Sequence, residues 1–140
     1  MVGKEVVRVT SQIVDYDSDP LLKTRKEFIP LSERSDILRE KISFQAEITS
    51  VLLNDEIAFA TFPGEFFVEH GLALKSRSGV KHTFFVGYTN DALFYFPTIQ
   101  STTEGGYGAA ARTQVEVGAG ERLVNRALIN LFYLAGKISP

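Results

Sequence analysis

The chain contains 140 residues, 44% of them hydrophobic, which fits one globular domain with a sizeable core. Its 15 basic and 17 acidic residues give a net charge of −2, so the composition does not indicate a nucleic-acid-binding protein. Without cysteine, disulfides and thiolate metal sites are excluded, and we expect no transmembrane segment or signal peptide because no apolar run is long enough.

The N-terminal part of the chain predicts short elements and loops. A β-prone segment predicts a short strand; it comprises Val6, Val7, Val9 and Ile13. Residues 15–20 are acidic and turn-forming, but they lack the glycine and the closing glutamate of an EF-hand. We therefore interpret them as a solvated loop rather than a calcium site. Residues 32–41 predict a short surface helix capped by Ser32.

Two strands joined by a hairpin are predicted from residue 42 onward. Apolar and polar residues alternate first, which indicates a strand with one wet face; the apolar positions are Ile42, Phe44, Ala46 and Ile48. The run from Ile57 to Phe62 is apolar almost throughout and predicts a strand buried on both faces. Asn54 and Asp55 between them suit a hairpin turn, so we expect antiparallel neighbours.

The sequence Pro63-Gly64-Glu65 ends the buried strand and, by its pattern, begins a helix that runs to about Arg77. Gly71 inside this helix predicts close packing against the sheet. Glu65 has two interpretations at this stage. Its carboxylate either complements the positive end of the helix dipole or lies exposed at the sheet edge as a site residue.

A second buried strand, residues 81–87, follows the helix and completes a β-α-β crossover that should be parallel and right-handed. The predicted fold is therefore α/β, a mixed sheet with packed helices. Residues 87–90 fall at the carboxyl end of this strand, where ligand sites collect in α/β proteins. The irregular stretches 91–97 and 101–111 come next, and long irregular segments in a compact domain are commonly functional.

The last helix is predicted to begin within residues 118–121 and to continue with a wide apolar stripe to Ala135. A glycine-rich turn before a helix can bind phosphate, but this turn lacks the Walker lysine and the third glycine of a dinucleotide site. Because Glu121 would also repel an anion, we interpret the turn as the start of a helix and nothing more.

Four stretches resemble, in order and spacing, the family of neutral/alkaline non-lysosomal ceramidases. They are LNDEIAFATFPGEFFVEHGLALK (53–75), HTFFVGYTNDALFYFPT (82–98), EGGYG (104–108) and GAGERLV (118–124). The resemblance covers about residues 45–136 and corresponds to the later part of that family's catalytic domain. It implies that residues 1–140 form a single domain or a fragment, an incomplete part of a larger catalytic domain.

The resemblance implies a zinc amidase that hydrolyses ceramide, an N-acylsphingosine, to sphingoid base and fatty acid. Two of the family's zinc ligands fall on Glu65, in the P-[GA]-E motif, and on Tyr95, which lies five residues beyond Asn90 of the G-x-x-N motif. Tyr107, twelve residues further on, falls on the family's catalytic tyrosine, which donates a hydrogen bond to the tetrahedral intermediate.

Three departures from the family pattern indicate a ceramidase-like homologue rather than a ceramidase. The family's two zinc histidines come from an earlier segment without a counterpart here, and His70 and His82, which do not match HExxH, we interpret as structural or surface residues. The segment after Tyr95 reads Tyr-Phe-Pro-Thr-Ile-Gln-Ser-Thr instead of a threonine- and glutamate-rich one. The tripeptide at 71–73, Gly-Leu-Ala, replaces an arginine pair.

Two functional hypotheses follow. The first is part of a zinc-dependent amide hydrolase acting on a lipid amide, inactive as the isolated chain because its metal ligands are incomplete. The second is a non-catalytic α/β module that keeps the scaffold and binds a ligand or partner. The first hypothesis predicts an exposed apolar face on the isolated chain. In a complete protein or in an oligomer, a missing N-terminal lobe or self-association would cover this face. Members of the family are often secreted or membrane-associated, and the sequence itself indicates no compartment.

Overall fold

A four-stranded mixed sheet lies at the centre of the fold. The computed structural model describes residues 2–34 and 43–139 of the chain. The strands are β1 (Leu22–Ser32), β2 (Ser43–Leu53), β3 (Ile57–Thr61), β4 (Glu65–Phe66), β5 (His82–Val86) and β6 (Tyr95–Phe96). The helices are α1 (Val2–Thr10), α2 (Val68–Arg77), α3 (Ile99–Glu104) and α4 (Ala119–Leu134), with a π-helix at Tyr107–Ala111. The main sheet has the order β1-β2-β3-β5, and β4 pairs with β6 in a small second sheet.

The strand pairing confirms the predicted α/β fold. β1, β2 and β3 are antiparallel neighbours, whereas β3 and β5 are parallel and are connected through α2. Residues 54–56 join β2 to β3, and the N–H of Glu56 donates to the Leu53 carbonyl at 3.0 Å to close a turn around Asn54 and Asp55. These two residues have φ values of 51° and 57°. Positive φ at both central residues is typical of a type I′ hairpin turn, and Asn and Asp tolerate it better than most residues.

The hydrophobic core lies on one face of the main sheet. Alternate residues of β2 and β3 point to this face and are fully buried; they include Ala46, Ile48, Ala58 and Ala60. α4 packs on β1 and β2, and α2 packs on β5 and on α4. The small alanines in the strands let the helices approach closely, and larger side chains of α4, among them Leu123 and Leu131, fill the layer between.

The opposite face of the sheet carries an apolar cluster among polar side chains. Val51, Phe59 and Phe84 are cross-strand neighbours on β2, β3 and β5, and the two phenylalanine rings stack with centroids 5.0 Å apart. The two helices with extensive contacts to the sheet, α2 and α4, both lie on the other side. Phe84 is therefore 50% exposed, and Leu22 on the same face is also exposed. We call this surface, formed by Leu22, Val51, Phe59 and Phe84, the open face.

The strand predicted around Val6 to Ile13 is wrong, because residues 2–10 form the helix α1. The valines at positions 2, 6 and 9 recur with the helical period, and Glu5 pairs with Arg8 one turn later at 2.5 Å. This periodicity outweighs the strand preference of the β-branched residues. Downstream, the carboxylate of Asp17 accepts hydrogen bonds from the backbone of Asp19 and the side chain of Asn54, consistent with a polar surface loop.

The helix predicted at 32–41 lies mostly outside the described residues. Its first three positions, 32–34, are described and are not helical, since Ser32 ends β1 and Glu33 forms an isolated bridge to Val115. Ile42, predicted to begin β2, also lies outside the described residues, and β2 begins at Ser43. In the part of the chain that the structure describes, no helix has the length and apolar character needed to cross a membrane.

Candidate functional site

Glu65 lies beyond the carboxyl end of β3, on the short strand β4. Its backbone N–H donates to the Phe94 carbonyl at 2.8 Å, and Glu65 is the direct register partner of Tyr95 on the parallel strand β6. The prediction that Glu65 begins a helix is wrong, because α2 starts only at Val68. The pairing with β6 keeps residues 65 and 66 extended, which delays the helix and orients the Glu65 side chain beside Tyr95.

Gly64 permits this close pairing. A Cβ atom at residue 64 would lie 2.6 Å from a ring carbon of Phe96 and 2.7 Å from the Phe94 carbonyl oxygen. No real side chain fits there, so the glycine lets β6 approach the corner after Pro63. The proline and glycine of this corner therefore set the position of Glu65 as well as ending β3.

Tyr107 reaches the same place through a separate segment. Its ring contacts the Tyr95 ring edge to face, with centroids 5.7 Å apart. Gly105 and Gly106, both with positive φ, make the sharp turn between α3 and the π-helix that begins with Tyr107. A Cβ at Gly108 would lie 2.9 Å from the Tyr95 ring, so this glycine brings the π-helix against β6. Tyr107 is 63% exposed and open to a ligand.

A third phenol, which the sequence did not single out, faces the same carboxylate. The Tyr88 hydroxyl donates a hydrogen bond to Oε2 of Glu65. This hydrogen bond, some burial and the negative charge of Glu65 raise the pKa of Tyr88 to about 12. A hydrogen bond with Glu65, some burial and the negative charge of Glu65 also raise the pKa of Tyr95. The chain thus places one carboxylate near three phenols at one end of the sheet, where Tyr107 contacts Tyr95.

Asn90 lies in the loop that follows β5, at the carboxyl end of the strand where residues 87–90 were expected. Its φ of 66° is in the left-handed region that asparagine tolerates, and its side-chain amide donates to Glu47 at 2.8 Å. Glu47 also pairs with Lys26 at 2.9 Å. These contacts tie the loop to the neighbouring strands and leave Tyr88 on the side of Glu65.

Neither histidine of the chain lies with the carboxylate and the phenols. His70 is buried in α2 between the ring of Phe66 and the backbone of Gly120. His82 is the first residue of β5, at the end of the sheet opposite to Glu65. In the described ranges, 2–34 and 43–139, no group of three or more His, Cys, Asp or Glu side chains could hold a metal ion.

Zinc, the metal implied by the resemblance, fits these donors only in part. A glutamate oxygen is an accepted zinc ligand. The commonest donors in protein zinc sites, however, are imidazole nitrogen and thiolate sulfur. Glu65 and Tyr95 can supply two oxygen donors of such a site, and nitrogen donors would have to come from elsewhere. The phenol of Tyr107 can donate a hydrogen bond to a ligand at the same edge.

The glycine-rich turn before α4 is occupied by the protein itself. Gly120 packs against the His70 ring, and the carboxylate of Glu121 accepts a hydrogen bond from the backbone of Ile99 at 2.8 Å. Gly118 precedes the helix with a φ of 84°. These contacts account for the glycines by packing and turn geometry, in agreement with our interpretation of the turn as a helix start.

No family model matches the chain, and no curated protein matches it. Solved structures that resemble it in fold include two ceramidases. One is described as a ceramidase complexed with C2, with a TM-score of 0.58 and 17% identity over 66% of this chain and 15% of that chain. The other is a neutral ceramidase from Pseudomonas aeruginosa, with a TM-score of 0.62 and 13% identity over 86% of this chain and 29% of that chain. The fold is therefore ceramidase-like, and the chain spans less than a third of either relative.

Proposed function

We propose that this chain is part of a zinc-dependent amide hydrolase resembling neutral ceramidase, acting on N-acylsphingosine or a related lipid amide. The observation that carries the proposal is the arrangement of Glu65, Tyr95 and Tyr107. The three residues come from separate segments that meet beyond the carboxyl ends of one parallel strand pair. Ligand sites of α/β sheets form at this edge. The ceramidase-like fold supports the same proposal.

The three side chains divide two tasks in the proposed reaction: two of them hold the metal and the third contacts the substrate. Glu65 and Tyr95 would hold the zinc ion with their oxygens, and the metal supplies Lewis acidity and a water of lowered pKa. Tyr107 would donate its phenolic hydrogen to the oxygen that becomes negative when the amide carbonyl is attacked. Its exposed ring, supported on one edge by Tyr95, is accessible to a substrate.

The isolated chain should bind zinc weakly and hydrolyse nothing. A catalytic zinc site uses about three protein ligands and one open position, and the described residues offer two oxygen donors. Full activity would need nitrogen donors from another segment. The two longer ceramidase structures have room for such a segment, because this chain covers only 15% and 29% of their lengths. The proposed substrate class is supported by the fold and not by the sequence motifs. The segment after Tyr95 and residues 71–73 of α2 both depart from the family pattern.

A zinc titration by calorimetry tests the ligand assignment. We expect weak binding to the unmodified chain, loss of binding in Glu65→Gln and weaker binding in Tyr95→Phe. Tyr107→Phe should bind as the unmodified chain does, because this residue is assigned to the substrate and not to the metal. Tyr16→Phe removes a phenol from a remote surface loop and is the matched control. Equal binding by Glu65→Gln and the unmodified chain would contradict the proposal.

Hydrolysis is tested on the chain joined with a histidine-bearing segment, if the coding sequence beside it carries one. With zinc present, an N-acylsphingosine and a simple N-acyl amine serve as substrates. We expect Tyr107→Phe to lower kcat by about a hundredfold or more, the usual effect of removing one oxyanion donor, at unchanged zinc content. Zinc-independent folding with no zinc binding and no hydrolysis would favour the alternative, a non-catalytic module that binds a ligand or partner.

A further inference from the structure

We infer that Tyr88 is a positioning residue, whose hydroxyl fixes the Glu65 carboxylate in the orientation the site requires. The inference rests on the proposed function for its importance to a metal, but its geometric content concerns these two residues alone. Tyr88 follows β5 and Glu65 follows β3, so the hydrogen bond between them links the two loops at the carboxyl edge of the parallel pair.

The backbone around Tyr88 is held against the corner that carries Glu65. The N–H of Tyr88 donates to the Gly64 carbonyl at 3.1 Å, and that of Thr89 donates to the Phe62 carbonyl at 3.0 Å. A Cβ at Gly87 would lie 2.9 Å from the Gly64 oxygen, so the two loops touch backbone to backbone. The position of the Tyr88 side chain is therefore set by the same corner that sets Glu65.

Tyr88 adopts a backbone conformation that its residue type disfavours. Its φ is 53°, in the left-handed region, which bulky residues rarely occupy. Such strain persists only where the surrounding contacts impose it, and it is concentrated at functional sites. Here the imposed conformation turns the side chain toward Glu65.

Burial does not explain why a tyrosine stands at this position. The residue is 60% exposed, so its ring contributes little to the core. The specific interaction its side chain makes is the hydrogen bond to Oε2 of Glu65. A bond to one oxygen restricts rotation of the carboxylate about its side-chain torsions. Partners that orient a ligating carboxylate in this way commonly change metal affinity tenfold to a hundredfold when removed.

The test compares Tyr88→Phe with Tyr16→Phe, each of which removes one exposed phenolic hydroxyl. In the metal-free chain, we expect Tyr88→Phe to shift the side-chain carboxyl carbon signal of Glu65 by NMR and to average its χ1 couplings. Tyr16→Phe should change neither. In a zinc titration, Tyr88→Phe should weaken binding about tenfold or more. An unchanged carboxyl signal with unchanged χ1 couplings in a folded Tyr88→Phe protein would overturn the inference.

Tyr88→Gly separates the hydrogen bond from the backbone strain. Glycine adopts positive φ readily, so this variant relieves the strain while it also removes the phenol. We expect the Glu65 signals of Tyr88→Gly to match those of Tyr88→Phe, with no loss of melting temperature. Glu65 signals like those of the unmodified chain would overturn the inference. The NMR signals decide the role of Tyr88 and the zinc titration of the unmodified chain decides the metal assignment, so the two can fail separately.

Discussion

Gly120 at the start of α4 lies directly against the ring of His70 in α2, where a Cβ atom would come within 2.4 Å of Nε2. This contact fixes how closely the two helices pack over the sheet. Since His70 is buried and its ring is also held edge to face by Phe66, it cannot move aside freely. The histidine therefore acts here as a packing residue, as interpreted from the sequence.

Gly120→Ala should therefore destabilise the protein. Inserting a methyl group into a closely packed layer typically costs about 1–3 kcal/mol. The matched control is Gly71→Ala in the interior of α2, where the new Cβ would meet Phe85 at an ordinary contact distance of 3.7 Å. Because alanine is the better helix former, that variant should gain up to about 1 kcal/mol. Urea denaturation measures both, and equal stability of the two variants would contradict the packing argument.

The two glycines also show what the sequence could and could not predict. Gly71 was expected to pack closely from its place inside a helical pattern, but a Cβ there would meet Phe85 at an ordinary 3.7 Å, so close packing does not require this glycine. Gly120 looked like part of a turn, because its neighbour His70 is fifty residues away and only tertiary structure brings them together. Across the chain, features contained in neighbouring residues could be predicted from the sequence, and features that depend on distant residues could not.

Local patterns predicted the hairpin, the crossover and α4, because alternation, turn residues and helical periodicity are each contained in a few consecutive residues. They failed where long-range pairing decides. Glu65 looked like the first residue of a helix, but its pairing with Tyr95 keeps it in a strand. Tyr88 attracted no notice, because a tyrosine after a strand carries no signal until the opposing carboxylate is known. For α1, valine content favoured a strand although the spacing was helical.

An ion pair between β1 and α4 should make stability depend on pH. Burial raises the pKa of Glu27, but hydrogen bonds from Arg126 and Asn130 and the charges of Arg126 and Arg25 outweigh it, so the pKa is lowered from its usual 4.5. A lowered pKa means that the ionised carboxylate stabilises the folded state above the unfolded pKa. The contribution is lost as the pH falls below about 4.5 and through the folded pKa.

Glu27→Gln should thus be less stable than the unmodified chain at pH 7, by about 1 kcal/mol for a partly exposed pair. The difference should shrink as the pH falls below about 4.5 and through the folded pKa, and urea denaturation at pH 7 and in that acid range measures it. Glu56→Gln, which removes one partner of the exposed pair with Lys81, is the control and should change little at either pH. A pH-independent difference for Glu27→Gln would argue against the ion pair.

The open face of the sheet should cause the chain to self-associate through a second copy of itself. Its apolar side chains come from four adjacent strands, and an extended apolar surface left exposed promotes association. Two copies meeting face to face by a twofold axis would cover both surfaces at once. Phe84→Lys, at the exposed end of this surface, should therefore shift the chain toward monomer in sedimentation velocity over a concentration series.

Leu72→Lys is the control for this experiment, because Leu72 is equally an exposed apolar residue but lies on α2, on the other side of the sheet. It should leave association unchanged. Association of Phe84→Lys as strong as that of the unmodified chain would show that the open face is not the interface. A monomeric unmodified chain would favour a self-sufficient module whose open face tolerates water.

The last prediction concerns the corner that carries Glu65. Gly64→Ala places a Cβ within 2.7 Å of the Phe94 carbonyl oxygen and closer still to the Phe96 ring, and a backbone oxygen cannot move without shifting β6. Since β6 holds Tyr95 beside Glu65, separation of the two strands should reduce stability by about 1–3 kcal/mol and also weaken zinc binding. Gly3→Ala in α1, whose Cβ would meet nothing within 4 Å, should leave zinc binding unchanged and should not reduce stability. Calorimetric zinc titration together with urea denaturation measures both effects. A Gly64→Ala protein that loses stability yet binds zinc like the unmodified chain would show that the pairing of β4 with β6 does not position the metal ligands.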